Sequence, residues 1–208
     1  VSDLVRVARM NSRGAKIKPQ IATPAYWQLL TNRNSRIREL KQLDDKMVAM
    51  TRYSVTDMLA DHVVDSAKLK SERVFKVQIN DVNVRLQMMQ NNEMDAMFVT
   101  EPQATLARLS KHKLLLDTRK LDWNMGAIAF REKPMKDVDR KRQYDVFVKA
   151  YNQACDSINK NGIAHYAHLM EKYCRTRREA IDSIPKTKFH HAVGPREKDM
   201  MMAEKYIK

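Results

Sequence analysis

The stretch Asn92-Glu-Met-Asp-Ala-Met-Phe-Val-Thr-Glu-Pro-Gln-Ala-Thr105 decides the fold class of this 208-residue chain. Asp95 to Val99 is an apolar run of strand length. Thr100-Glu101-Pro102 follows at once and supplies a helix N-cap, an early acid and a first-turn proline. A strand that runs straight into a helix start leaves backbone N–H groups and polar side chains pointing the same way. In open α/β sheets ligands bind at such points, beyond the carboxyl ends of the strands.

Outward from this junction the same alternation repeats. Strands are expected over Lys46–Thr51, Val74–Ile79 and Lys113–Asp117, and helices over Thr56–Leu69, Val82–Gln90 and Glu101–Lys111. Successive strand–helix units imply a mostly parallel sheet covered on both faces. Upstream, Ser2-Asp3 opens an amphipathic helix to about Met10. Lys16–Leu30 is apolar and interrupted by Pro19 and Pro24, which fits one long or broken strand. A polar break at Thr31–Ser35 precedes a short helix to Leu40. Downstream, Trp123–Phe130 is a further strand. Val138–Lys160 is a long helix whose inner stripe is read as Phe147, Ala150, Tyr151, Ala154 and Ile158, with Asn161-Gly162 as its stop. Helices at Ile163–Cys174, at Arg177–Ile184 and from Arg196 complete the chain.

The net charge of +14 raises the question of nucleic acid, so its distribution matters. Residues 1–50 hold ten Lys/Arg against four Asp/Glu, and residues 131–208 hold eighteen against eleven. Residues 51–130 are nearly neutral, with eleven against ten. The clusters Arg140-Lys141-Arg142 and Arg175-Thr-Arg177-Arg178 lie in acid-interleaved helices, which reads as a solvated face, and no aromatic-and-basic stacking platform accompanies them. No nucleic-acid partner is expected. No run of about 18 apolar residues exists, so no transmembrane helix is expected. Val1-Ser2-Asp3 is neither a signal peptide nor a methionine start, and the chain is expected to begin at a processed or truncated end.

Polar residues collect at the expected strand ends. Ser54-Val-Thr56-Asp57 fits a short capping box, and the same residues suit contact with a bound solute. Asn80-Asp81 caps the next helix. Asp3, Asp57, Asp81 and Glu101 would accept hydrogen bonds from N–H donors, which tilts the solute toward an amine or an aminopyrimidine. Helix N-termini by themselves favour anions. Tyr26 and Trp27 suit either stacking on such a ring or an apolar core. His165 and His168 share a helix face, yet no acid or cysteine completes a metal set, so no metal is expected. Cys155 and Cys174 lack ligand spacing; they are either free or bridged if their helices meet. No Gly-rich phosphate loop with lysine and no Gly-x-Ser-x-Gly is present, so no catalytic residue and no cofactor are assigned.

Asp95-Ala96 and Glu101-Pro102 resemble the "(V/M)DA…EP" segment of periplasmic solute-binding proteins of ABC importers. The similarity is to the branch shared by sulfonate, nitrate and thiamine-pyrimidine binders. It implies the type II fold of that family: two α/β lobes, two hinge crossings and a helical C-terminal region. The second lobe would be 32–122, and 1–31 with 123–208 the first, with its N-terminal strands missing. The crossings would be strands near Tyr26–Leu30 and Asn124–Phe130. The resemblance also places Ser2 and Asp3 beside Ser54, Thr56, Asn80, Asp81, Thr100 and Glu101 as polar strand ends facing one cleft.

The function implied is an extracytoplasmic, periplasmic receptor, expected to be a monomer. It would close its lobes on a small solute and deliver it to an ABC permease. A lipid anchor upstream of Val1 would tether it to the membrane as a lipoprotein. The solute would be a thiamine-type aminopyrimidine, or else a sulfonate- or nitrate-type anion. An effector-binding lobe of a transcription regulator, or an enzyme on the same scaffold, are the other readings of the fold.

Overall fold

The structure, a computed structural model, describes residues 1–207. The chain divides into two compact units, one of residues 1–25 with 124–208 and one of residues 26–123.

The 26–123 unit is built on five strands: β3 (Gln28–Thr31), β4 (Lys46–Met50), β5 (Val74–Gln78), β6 (Ala96–Val99) and β7 (Lys113–Asp117), in the order β5-β4-β6-β3-β7. β4 runs parallel to β5 and β6, whereas β3 is antiparallel to both β6 and β7. The sheet is therefore mixed where a mostly parallel one was expected. The run Gln28–Thr31 is also a strand flanked by partners on both sides rather than a lone crossing, so residues 26–31 belong with this unit. Every residue of β3 and β6 is buried, which is why both read as unbroken apolar runs with no alternation.

Helices α2 (Val55–Ser66), α3 (Val82–Gln90) and α4 (Gln103–Leu109) connect the strands. Leu30, Ala49, Met97 and Val99 share one core with Leu86 and Met89 of α3 and Ala104 and Ala107 of α4. Alternation along the strands sends Leu29, Met50 and Phe98, all fully buried, to the opposite face. The helix expected at Ser35–Leu40 is a turn followed by a 3-10 segment at Leu40–Leu43. Side-chain bonds from Ser35 to the Asn32 carbonyl and from Gln42 to the Arg38 and Glu39 N–H groups compete with a regular helix there.

The other unit carries β1 (Ser2–Asp3), β2 (Ile17–Ala22) and β8 (Gly126–Arg131) as an antiparallel sheet in the order β1-β8-β2. Gly126 is required in β8: a Cβ there would lie 2.3 Å from Thr23 Oγ1 and 2.8 Å from Ala25 Cβ. Helix α1 (Leu4–Ser12) follows β1, and α5 (Val138–Asn161), α6 (Ala167–Cys174), α7 (Arg178–Asp182) and α8 (Glu197–Ile207) form the C-terminal region. Asp137 caps α5 by accepting the Arg140 N–H at 2.9 Å, and Gly162, at φ 80°, follows its last residue.

The inner stripe of α5 differs from the expected one. Ala150 and Ala154 are exposed, and Cys155 is the buried residue of the helix. Phe130 meets Tyr144 and Phe147 edge-on, at 5.1 and 5.8 Å between ring centroids. The seam therefore runs 144, 147, 151, 155, 158, and small alanines one step round the helix face solvent. Arg140–Arg142, Arg175, Arg177 and Arg178 are all exposed. Cys155 and Cys174 are free thiols; Cys155 donates to the His190 carbonyl and Cys174 lies against the Met170 sulfur. No helix among the described residues is long and apolar enough to cross a membrane.

Candidate functional site

In the 26–123 unit the carboxyl ends of β4, β5, β6 and β7 and the amino end of β3 lie along one edge of the sheet, because Gln28 pairs with both Val99 and Asp117. Nine of the eleven residues singled out from the sequence sit at or just beyond this edge, Tyr26, Trp27, Ser54, Thr56, Asp57, Asn80, Asp81, Thr100 and Glu101, while Ser2 and Asp3 belong to the other unit.

The β4–α2 turn is held by its own hydroxyls. Thr51 N–H donates to Thr56 Oγ1 at 2.8 Å. Ser54 Oγ accepts from Thr56 N–H at 3.1 Å and donates to the Thr51 carbonyl at 2.7 Å. Ser54 is thus a true N-cap. The expected capping box is modified: Asp57 Oδ2 accepts from Tyr53 N–H at 2.8 Å, one residue before the cap. Asp57 Oδ1 takes Lys76 Nζ at 2.8 Å, and the same ammonium reaches Asp61 at 2.8 Å. Burial acts to lower the Lys76 pKa, but the two carboxylates carry it above its ordinary value.

After β5, Asp81 caps α3 by accepting from Asn83 and Val84 N–H at 2.7 and 3.4 Å. Asn80 accepts from Gln78 at 3.4 Å. Both are exposed. Arg85, which sequence reasoning missed, ties these loops together. Only 2% exposed, it donates to the Ile79 carbonyl at 2.7 Å, to the Phe98 carbonyl at 2.6 Å and to Thr51 Oγ1. One guanidinium therefore bridges the ends of β5, β6 and β4. A signal was present: Arg85 falls on the apolar stripe of α3 with Val82, Leu86 and Met89, where a charge is out of place.

Beyond β6 the start of α4 differs from the expected one. Thr100 contributes its carbonyl to Ala104 N–H at 2.9 Å, and the helix begins at Gln103. The capping side chain is Glu101, whose Oε2 accepts from Thr105 N–H at 2.9 Å and Thr105 Oγ1 at 2.7 Å. A longer side chain at this position reaches over the turn to the N–H that Thr100 does not cover. Glu101 Oε1 accepts from Arg108 at 2.8 Å and from Tyr26 Oη and Gln28 Nε2 at 3.3 Å. Arg108 also donates to Gln28 Oε1 and Thr105 Oγ1.

At the end of β7, Trp27 and Thr118 clasp each other. Trp27 N–H donates to Thr118 Oγ1 at 2.9 Å and Thr118 N–H to the Trp27 carbonyl at 3.0 Å. Arg119 lies over the Tyr26 ring at 4.1 Å and pairs with Asp117 at 2.6 Å. Burial pushes the Asp117 carboxyl up, but the bonds and charge of Arg119 carry it below the usual range. Arg119, bonded to Asp117, is raised in turn.

In the other unit Asp3 caps α1, accepting from Arg6 N–H at 3.0 Å, and Ser2 pairs with Ala127 in the sheet. The carboxylates expected to await an N–H-rich solute thus have donors within the chain: Arg6 for Asp3, Lys76 for Asp57, the α3 N–H groups for Asp81 and Arg108 for Glu101. Sequence spacing shows acids at caps but not which cations return to them, from three residues away for Arg6, seven for Arg108 and nineteen for Lys76. Among the described residues no group of three His, Cys, Asp or Glu is placed to hold a metal.

No protein-family model matches the chain, and no curated protein matches it. Solved structures do. The chain is similar to the periplasmic aliphatic sulphonate binding protein SsuA from Escherichia coli, at TM-score 0.75 and 16% identity over 98% of this chain and 70% of that one. It is similar to the alkanesulfonate-binding protein SsuA from Xanthomonas axonopodis bound to MOPS, at TM-score 0.76 and 14% identity over 99% and 71%. The periplasmic nitrate-binding protein NrtA from Synechocystis gives TM-score 0.69 and 12% identity over 86% and 53%. Identities this low establish the fold alone, and the fold of this chain is that of the type II periplasmic binding proteins, α/β with two sheets and a helical C-terminal region.

Proposed function

We propose that this chain is the extracytoplasmic solute-binding component of an ABC importer, and that its solute is a small anion of the sulfonate or nitrate type. It would close its two units on the solute and present it to a permease, with no covalent step. The observation that carries the choice of solute is the internal pairing of the acids. Asp57 and Glu101 already bind Lys76 and Arg108, so a cationic or N–H-rich molecule would have to compete with fixed internal cations. The Ser54 and Thr56 hydroxyls are turned into their own turn, so what this edge presents there is the N-terminus of α2, which by itself favours negative charge. The likeness to sulfonate- and nitrate-binding structures supports the same class. The aminopyrimidine alternative loses the argument on which it rested. Extracytoplasmic location, a permease partner and a lipid anchor are parts of this proposal.

A thermal-denaturation panel of ethanesulfonate, MOPS, nitrate and an aminopyrimidine tests it. A solute present at a hundred times its Kd should stabilise the protein by about 2.7 kcal/mol. Stabilisation by an anion of the panel and none by the aminopyrimidine is expected. Stabilisation by the aminopyrimidine alone would overturn the anion assignment, and none by any member would remove the solute-binding reading for this class.

A further inference from the structure

We infer that Arg119, seated on the ring of Tyr26 and oriented by Asp117, is the residue that recognises the charged oxygens of the solute. The inference rests on the solute-binding reading and deepens it, from a class of anion to the group that holds it.

Three features set Arg119 apart from the other cations of this edge. Its orientation is fixed from below: Nε lies 3.0 and 3.1 Å from the two Asp117 oxygens and Nη2 lies 2.6 Å from Oδ2. Asp117 is 5% exposed as a side chain and itself held by the Arg119 N–H at 3.0 Å, so the anchor is rigid. The Tyr26 ring, 4.1 Å from the guanidinium carbon, supports one face of the plane. Finally, the Arg119 side chain is 48% exposed, and its Nη1 bonds to no group among the described residues. A guanidinium clamped along one side presents its remaining N–H groups in a fixed fork, the geometry that suits two oxygens of a sulfonate or carboxylate.

Arg52 and Lys120 are exposed on the flanking turns, and no hydrogen bond or ion pair among the described residues orients them; the remaining cations of the edge are committed elsewhere. Arg85 is buried beneath the strand ends, Lys76 bridges two aspartates, and Arg108 closes on Glu101, Gln28 and Thr105. Glu101 also acts on Arg119 through space, but its own oxygens are filled by Arg108, Thr105, Tyr26 and Gln28. Preorganisation is the purpose of the arrangement. The ordering of a long side chain, which opposes most Arg–anion contacts, is complete before the solute arrives.

The test is calorimetric titration of the full chain with ethanesulfonate and with its uncharged counterpart ethanesulfonamide. Arg119→Gln leaves Asp117 without its cation, so Asp117→Asn/Arg119→Gln is measured beside it to keep the pair neutral. Unfolding midpoints without solute show that each variant is folded. The native protein should prefer the sulfonate. Both variants should lose about ten- to a hundredfold in sulfonate affinity, the range of one charge-assisted hydrogen bond, and should lose most of the preference over the sulfonamide. A purely structural role would weaken both probes alike. Native-like sulfonate affinity and preference in the double variant would overturn the inference and leave the solute-binding reading standing. Failure of the native protein to bind ethanesulfonate, MOPS or nitrate would remove that reading and the inference with it.

Discussion

Arg85 and Arg119 sit at the same edge of the same sheet and are held in opposite ways. Arg85 is buried and donates to two carbonyls and a hydroxyl at the ends of three different strands. Arg119 is half exposed, held by one neighbouring carboxylate and one ring, and keeps part of its fork outward. Burial decides between scaffold and chemistry here. A guanidinium wholly surrounded by the chain's acceptors fixes backbone, whereas one clamped along a single side is left with directed donors for something else.

The largest expected effect falls on the scaffold side of this contrast. Arg85→Met keeps the bulk but strands the Ile79 and Phe98 carbonyls and Thr51 Oγ1. Urea unfolding should show a loss of about 2–4 kcal/mol. A loss below about 0.5 kcal/mol would mean that water or neighbouring groups satisfy these acceptors and that the bridge between strand ends is dispensable.

Glu101→Gln sharpens the contrast from the other side. It keeps the shape but weakens the hold on Arg108, so about 1–2 kcal/mol of stability should be lost. Affinity for ethanesulfonate should be unchanged or higher, because a negative charge near Arg119 is gone. A marked drop in affinity would return Glu101 to the list of direct solute contacts.

A smaller effect concerns pH. Burial, and then the charge of Arg33, lower the pKa of His112, whose Nδ1 accepts the Arg33 N–H at 3.2 Å. The depressed folded value makes the contribution of neutral His112 present above the unfolded value near 6.5 and lost as pH falls through the folded one. Stability should therefore decline as pH drops from about 7 to about 5, and His112→Asn, which keeps an acceptor without titrating, should flatten that decline. An unchanged slope would assign the acid sensitivity to other groups.

The smallest effect is expected at the exposed cluster on α5. Replacing Arg140, Lys141 and Arg142 with Gln should change stability by less than about 0.5 kcal/mol. Any attraction to duplex DNA should vanish by about 200 mM salt. Retention of tight binding at that salt would give the basic surface a specific nucleic-acid role.

Much of the 26–123 unit was legible because its signals are local. Ser54 and Asp81 mark helix starts beside apolar runs, and the strand–helix alternation from Lys46 to Asp117 appears at nearly the expected positions. The direction of β3 was not legible, since an all-buried run such as Gln28–Thr31 carries no mark of its partners. The Glu101–Arg108 and Arg119–Tyr26 contacts were hidden for a related reason: the first spans a turn and two helical turns, the second joins residues 93 positions apart. Arg85 was legible in principle, as a charge on an apolar stripe. On α5 two stripes one step apart both looked apolar, and only the ring contacts of Phe130 select the buried one.

The most direct measurement is isothermal titration of the native full chain with ethanesulfonate. The expected result is saturable one-to-one binding that nitrate or MOPS competes away and that ethanesulfonamide does not reproduce. Saturable binding of an aminopyrimidine, with no heat from any of the three anions, would contradict the assignment of an anionic solute.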